Sequence, residues 1–467
     1  MIKFFSALLI ALAVLSCNPS VEKPAEKLTV EKIKKRGKLI AITGFNAYSY
    51  FIYKGRTMGF EYELLQRLGD RLDVDIELIV SKNINEMFEL LEKGVGDLIA
   101  FNLTVTNDRK EKADFTTHLN TTHQVLVQRK PENWRNLTQD QINSNLIKSP
   151  IELEQKTVYV RHGSAYKSRL ENLEDEIGGK INMIEAPDSL SVEDLIEMVS
   201  TGQIEYTISD ENIARLNVGY YKNLDIETHI SFTQRIAWAV KKDSDDFLEE
   251  IDAWIDDFKK QLDFYVIYDR YFKHRSYYKA RKTSKYFLRE GGGLSKYDHL
   301  LKQWADSIDW DWRLLASLVY QESKFLPDVK SWAGAMGLMQ LLPETGKAHG
   351  AENLFDPEEN IRAGVNYLVW LDNYWAKEVE DRDERIKFIL ASYNIGFGHI
   401  EDARRLAKKY GDDPDIWFGS VDQYLLKKSK PKYYHDEVVR NGYCNGKETF
   451  AYVKNIMQRF ERYSQFI

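Results

Sequence analysis

Cysteine is nearly missing from this chain. Its 467 residues hold two, Cys17 and Cys444, too few for a disulfide framework or a cysteine-ligated metal site. The nine histidines show no metal-ligand spacing of the HExxH kind, so the sequence assigns no metal and no cofactor. Positive charge is not in excess. A net charge of -7 argues against a protein whose main task is binding nucleic acid and leaves no basic face to hold the whole molecule on anionic lipid. Internal repeats and long low-complexity segments are absent, and the apolar run within residues 1–16 is too short to span a bilayer comfortably.

What is present points to two large domains, because the length exceeds that of a usual single core. Residues 1–16, MIKFFSALLIALAVLS, carry Lys3 and then the apolar run, a signal-peptide pattern. Val14-Leu15-Ser16-Cys17 resembles a bacterial lipobox, which implies cleavage before Cys17 and lipid on that residue. The mature protein would then be anchored, on the periplasmic side of the cell envelope and as an outer-membrane lipoprotein. Residues 17–36 are polar with two prolines and read as a tether.

From Gly37 strands and helices alternate. Strands are expected at Lys38–Thr43, Asp75–Val80 and Asp97–Phe101, with a helix marked by Phe60, Leu64, Leu65, Leu68 and Leu72 and another at Asn85–Lys93. A second block has strands near Thr157–Val160, Ile181–Glu185 and Glu205–Ser209, and Arg235–Val240 is apolar enough to rejoin the first block. This is a domain of βα units over residues 37–275. Residues 276–296, basic and aromatic and then triple glycine, read as a linker with solvated charges. Residues 297–467 show long amphipathic runs broken at proline and glycine, an all-α domain.

One stretch organises the second domain. Asp309 or Asp311 caps a helix in which Asp311, Leu314, Leu315, Leu318, Val319 and Glu322 share one face. A carboxylate among leucines resists ionisation, so the pKa of Glu322 should rise, which suits a general acid. Gly334-Ala335-Met336-Gly337-Leu338-Met339-Gln340 follows, small and flexible and then apolar, able to bring backbone close to a ligand.

Glu322-Ser323, Gly334–Gln340 and Pro343-Glu344-Thr345 resemble the signature of lytic transglycosylases with a goose-type-lysozyme-like fold. Ala391-Ser392-Tyr393-Asn394-Ile395-Gly396 resembles that family's AYNAG-type segment, with Ser392 and Ile395 as departures, and Glu448-Thr449-Phe450-Ala451-Tyr452-Val453 resembles its E-T-x-x-Y-V segment. Three motifs in the expected order are specific where one would be weak. The resemblance implies Glu322 as catalytic acid and base, cleaving the MurNAc–GlcNAc β-1,4 bond of peptidoglycan glycan strands with a 1,6-anhydro product. It also implies that Ser323, Met339, Gln340, Asn394 and Glu448 meet substrate and that Tyr452 walls the cleft. Tyr393, on the Ile386-Ile389-Leu390 stripe, would turn its hydroxyl to Glu322.

The first domain resembles the two-lobed solute-binding domains of amino-acid transport, through Gly59-Phe60-Glu61, Gly96-Asp97-Leu98-Ile99, Thr104-Val105-Thr106-Asn107-Asp108-Arg109 and Asp114-Phe115-Thr116. Arg109 would grip a ligand carboxylate. Thr104 accompanies it, Ser164 opens a helix where backbone N–H groups face an anion, and Asp210 would meet an ammonium. A muropeptide or amino-acid ligand is implied there, or a retained scaffold without one. The pairing of domains resembles the membrane-bound lytic murein transglycosylase F family. A hydrolytic muramidase of the same fold and a non-catalytic envelope sensor are the competing readings.

Overall fold

The computed structural model describes residues 27–287 and 293–465. The signal-like segment, Cys17, the start of the tether and Gly291-Gly292 lie outside the described residues. Strands of the first block are β1 (Lys38–Thr43), a hairpin of β2 (Phe51–Tyr53) and β3 (Arg56–Met58), β4 (Asp75–Val80), β5 (Leu98–Thr104), β6 (Ala113–Phe115) and β7 (Asn120–Thr122). The second block holds β8 (Gln124–Arg129), β9 (Thr157–Arg161), β10 (Asn182–Ala186), β11 (Tyr206–Asp210) and β12 (Leu224–Asp225), before β13 (Gln234–Lys241).

Apart from the β2–β3 hairpin, these strands build two sheets, one per lobe. The first runs β4-β1-β5-β13-β6, with β7 also on β13, and the second runs β10-β9-β11-β8-β12. β1 lies parallel to β4 and β5, as right-handed βα units require. β13 returns from the second lobe and pairs antiparallel with β5, which is the rejoining expected of Arg235–Val240. The helix Phe60–Leu72 buries Phe60, Leu64, Leu65, Leu68 and Leu72, the stripe read from its spacing.

Two stretches read as connectors are built into the domain instead. Val30–Arg36 is a helix, started by the Thr29 side chain and ended at Gly37, and its Ile33 is fully buried. Arg275–Lys282 is a helix too. Its Tyr278 is buried and donates to Asn217 Oδ1 at 2.9 Å. Arg281, which the linker reading leaves in water, is buried with its guanidinium 4.8 Å from the Phe51 ring centroid and 5.6 Å from that of Tyr271. Packing a cation on two aromatic faces offsets part of its desolvation.

The second domain is helical around one core that includes Leu314, Leu318, Ile361, Trp375, Phe388, Trp417 and Val453. Ile52 of the β2–β3 hairpin also belongs to that core. At the hairpin tip Gly55 has φ +73°, and a Cβ there would lie 2.6 Å from Phe325 Cε2 and 2.9 Å from Tyr320 Cδ2. Tyr463 donates to the Gly55 carbonyl at 2.7 Å. The first domain thus plugs into the second beside the end of the Glu322 helix. Among the described residues no helix is long and apolar enough to cross a membrane.

Candidate active site

Asp311, rather than Asp309, starts the helix Trp312–Ser323, its carboxylate accepting the Arg313 N–H at 2.8 Å. Leu314, Leu315, Leu318 and Val319 are buried on one face, and Glu322 follows them in the last turn, half-buried. The helix stops because Lys324 and Phe325 both take left-handed backbone conformations, φ +53° and +61°. Glu322 Oε1 accepts the hydroxyl of Tyr452. Burial pushes the Glu322 carboxyl up to about 7, with the Tyr452 hydrogen bond pulling the other way. Burial, and then the charge of Glu322, hold the Tyr452 and Tyr393 hydroxyls well above the ordinary tyrosine range, so both stay protonated.

Tyr393 lies near enough to feel that charge, but its hydrogen bond goes elsewhere. Its hydroxyl donates to the Met339 carbonyl at 2.7 Å, and Tyr452 takes the place at Glu322. The Asn394 side-chain oxygen accepts the Thr449 hydroxyl at 2.7 Å, which fastens the helix Arg382–Ile395 to the start of the helix Lys447–Ser464. Glu448 and Asn394 stay exposed beside that contact, available to a bound sugar.

The lobe interface of the first domain gathers Thr104, Arg109, Ser164 and Asp210 around one small cavity of about 20 Å³, with Asn102, Arg161 and Tyr166. Arg109 donates to the Thr104 carbonyl at 2.8 Å and, across the lobes, to the Gly163 carbonyl at 3.0 Å. Burial lowers its guanidinium to about 10. The Ser164 hydroxyl donates to the Arg161 carbonyl at 2.6 Å. Asp210 is buried, and its Oδ2 accepts Asn102 Nδ2 at 2.9 Å. Its Oδ1 has no hydrogen-bond partner among the described residues. Burial pushes this carboxyl up to about 7, against the hydrogen bonds of Tyr166 and Asn102.

Residues 39–274 match the model for bacterial extracellular solute-binding proteins, family 3, and residues 299–416 match the transglycosylase SLT domain. The membrane-bound lytic murein transglycosylase F of Desulfosudis oleivorans is 35% identical over 430 residues, covering 92% of this chain and 90% of that protein. This chain belongs to the membrane-bound lytic murein transglycosylase F family. The family's protein from Stutzerimonas stutzeri is 33% identical over 449 residues, covering 94% and 87%. Among solved structures, holo ArgBP from T. maritima is similar at 22% identity and a TM-score of 0.42, over 51% of this chain and 98% of that one. The SLT match takes in Glu322, Met339 and Tyr393 but ends before Glu448 and Tyr452.

In this member of the transglycosylase F family, three residues read as sugar contacts turn to the protein. Ser323 is buried and its hydroxyl donates back to the Val319 carbonyl at 3.2 Å, one turn earlier. The Met339 side chain is fully buried, so only its backbone serves the site, through Tyr393. Gln340 spends its amide N–H groups on the carbonyls of Val329, at 3.0 Å, and Gly337, at 2.9 Å. The close approach that Gly337 permits is likewise internal, since a Cβ there would lie 2.1 Å from the Leu354 carbonyl and 2.3 Å from Asn360 Nδ2.

Asn360 was not legible as part of the site. Fully buried, it accepts the Met339 N–H at 2.7 Å and donates to the carbonyls of Met336 at 3.0 Å and Leu354 at 2.9 Å. It holds the 336–339 loop in place beneath Tyr393. The available signal was spacing: Asn360 shares a helical face with Ile361, Gly364, Leu368 and Leu371, where an asparagine needs internal partners.

Proposed function

We propose that this chain is a peptidoglycan lytic transglycosylase of the cell envelope, anchored through lipid on Cys17, with Glu322 as its single catalytic acid and base. The observation that carries the reading is Glu322 itself: a half-buried carboxyl at the end of an apolar helix face, held by the Tyr452 hydroxyl and raised by burial to about 7. Hydrolytic glycosidases ordinarily employ two carboxylates, and substrate-assisted enzymes dispense with the second. Family membership supports the substrate, because the relatives are named for murein.

Protonated Glu322 gives its proton to the oxygen of the MurNAc–GlcNAc β-1,4 bond, and the bond from that oxygen to C1 breaks. The neighbouring N-acetyl group stabilises the positive centre at C1. The Glu322 carboxylate then takes the proton of the same sugar's C6 hydroxyl, whose oxygen bonds to C1 and closes the 1,6-anhydro ring. Glu322 ends protonated and no water is consumed. Tyr452 donates to the carboxylate between the two steps, which lowers the cost of its charge in a half-buried site. A pKa near the working pH serves both directions of transfer.

The polar groups lining the lobe cavity support control by an amino acid or a muropeptide, for which the lobes would have to part, since the present cavity of about 20 Å³ holds little more than one water. Asp210 Oδ1 offers a buried acceptor without a donor, which an ammonium would satisfy, and Arg109 supplies the cation for a carboxylate. The hairpin joining this domain to the end of the Glu322 helix gives the two sites a common structural element.

The deciding experiment is mass spectrometry of products released from purified peptidoglycan, with Glu322→Gln alongside. Anhydro ends that vanish in the variant are expected. Reducing ends would instead identify a hydrolase. No release, even in the presence of muropeptides, would identify a sensor.

A further inference from the structure

One residue carries the chain from the first lobe's sheet to the second. His123 separates β7, which pairs with β13, from β8, which pairs with β11. Its ring stacks on that of His229, with centroids 4.6 Å apart and planes 9° from parallel. His123 Nδ1 lies 3.4 Å from Glu211 Oε2. One nitrogen of each imidazole and one Glu211 oxygen all fall within 4.8 Å of one another, a grouping with no equal among the described residues.

The backbone fixes this cluster. The Glu211 N–H donates to the His123 carbonyl at 2.8 Å, while Leu126 donates to Thr228 at 2.9 Å and Ile230 to Gln124 at 2.7 Å on either side of His229. The atoms behind the cluster are arranged to match. His123 Nε2 lies 3.1 Å from Thr233 Oγ1; donating there leaves the Nδ1 lone pair facing Glu211. Glu211 Oε1 is occupied by Arg215 Nε at 2.9 Å, which leaves Oε2 for the space between the rings.

We propose that His123, Glu211 and His229 bind one divalent cation of the zinc class, with its fourth position open to water. Two imidazoles and a carboxylate form a donor set that zinc takes, whereas calcium and magnesium call for oxygen ligands. Bonds of about 2.1 Å in a tetrahedral shell place neighbouring donors roughly 3.4 Å apart, the separation already present between His123 and Glu211. His229 is exposed, so its ring turns to complete the shell without disturbing the core. Thr233 and Arg215 are the outer partners that orient the ligands.

The placement gives such a cation a role. His123 is the outward crossing, Thr233 directly precedes β13 on the return crossing, and Glu211 follows the pocket residue Asp210 in sequence. A bound cation fastens both crossings to the second lobe and restricts the hinge on which the lobes turn.

The full chain, purified in detergent and stripped with EDTA, is titrated with ZnCl2 against a chromophoric chelator, and separately with CoCl2. One equivalent of zinc and a tetrahedral cobalt absorption spectrum are expected. Thr233→Val loses roughly tenfold in zinc affinity, and His229→Ala roughly a hundredfold or more. Zinc raises the thermal midpoint of the parent chain but not of His229→Ala. His229→Gln replaces that variant if its metal-free midpoint is lowered. Zinc bound equally well by the His123→Ala/His229→Ala chain, or no stoichiometric binding by the parent, overturns the proposal.

Discussion

Tyr452 donates its hydroxyl hydrogen to Glu322 across 130 residues of sequence. That bond favours the ionised carboxyl and holds its pKa below where burial alone would put it. Tyr452→Phe should move the alkaline limb of the pH–rate profile for anhydro-product release to higher pH. It should also slow the reaction at neutral pH, because the carboxylate formed in the first step loses up to about 1.5–3 kcal/mol of stabilisation. A limb that stays put or moves to lower pH would show that the phenol does not tune the acid.

Glu322→Gln should abolish product release, by roughly 10²–10⁴-fold at least for the acid step, and should change stability in a pH-dependent way. The folded-state pKa is raised from 4.5 to about 7, so the native state binds the proton more tightly than the unfolded chain does. Native Glu322 therefore costs nothing below about pH 4.5, costs progressively more as pH rises to 7, and costs about 3 kcal/mol above that. Thermal melts should show the variant more stable than the parent at pH 8 and equal to it near pH 4.5. The opposite order at pH 8 would refute the assignment of a buried, poised carboxyl.

Asn360→Ala should lower stability by roughly 2–4 kcal/mol, since the Met339 N–H and the Leu354 carbonyl lose the Asn360 side chain and the Met336 carbonyl keeps only the Leu341 N–H. Product release should fall with it, because the Met339 carbonyl that anchors Tyr393 is then free to move. Chemical denaturation measures the first effect, and a loss below about 0.5 kcal/mol would mean that the loop is held by something else.

Gly55→Ala places a methyl group 2.6 Å from Phe325, at a φ that alanine tolerates poorly. The hairpin should leave its seat, at about 1–3 kcal/mol, and calorimetry should show the second domain melting earlier. An unchanged profile would mean that the domains do not depend on this contact.

Asp210, poised at about 7, must be ionised to pair with an ammonium. Calorimetric binding of amino acids or muropeptides should strengthen from pH 6 to pH 8, and Asp210→Asn should flatten that rise. A ligand whose affinity falls over the same interval would contradict the proposed pairing.

Much of this was legible in the chain because burial leaves a period behind. The leucine stripe of the Trp312–Ser323 helix locates Glu322, and the run at 235–240 betrays a strand whose partner lies in the other block. Sites that depend on a single residue were hidden. Ile33 sits among lysines and Tyr278 among basic residues, so composition reads both helices as connectors although buried side chains, Ile33 in one and Tyr278 with Arg281 in the other, anchor them. The exchange of roles between Tyr393 and Tyr452 was also unreadable. Both lie on apolar stripes, and which hydroxyl meets the carboxyl depends on how the helices cross. The Ser323 hydroxyl was lost to a carbonyl one turn back, an alternative open to any buried helical serine. His123, Glu211 and His229 meet only because two strands and a helix start converge.

The last helix, Lys447–Ser464, supplies Tyr452 to Glu322, Tyr463 to Gly55 and, through Lys454, an ion pair to Asp75 at 2.5 Å. Loss of this one helix would remove the partner of the acid and the latch of the hairpin in a single event. The competence of the second domain and the seating of the first on it therefore stand or fall together, so an enzyme released from its partner domain is also an enzyme with an unsteadied acid.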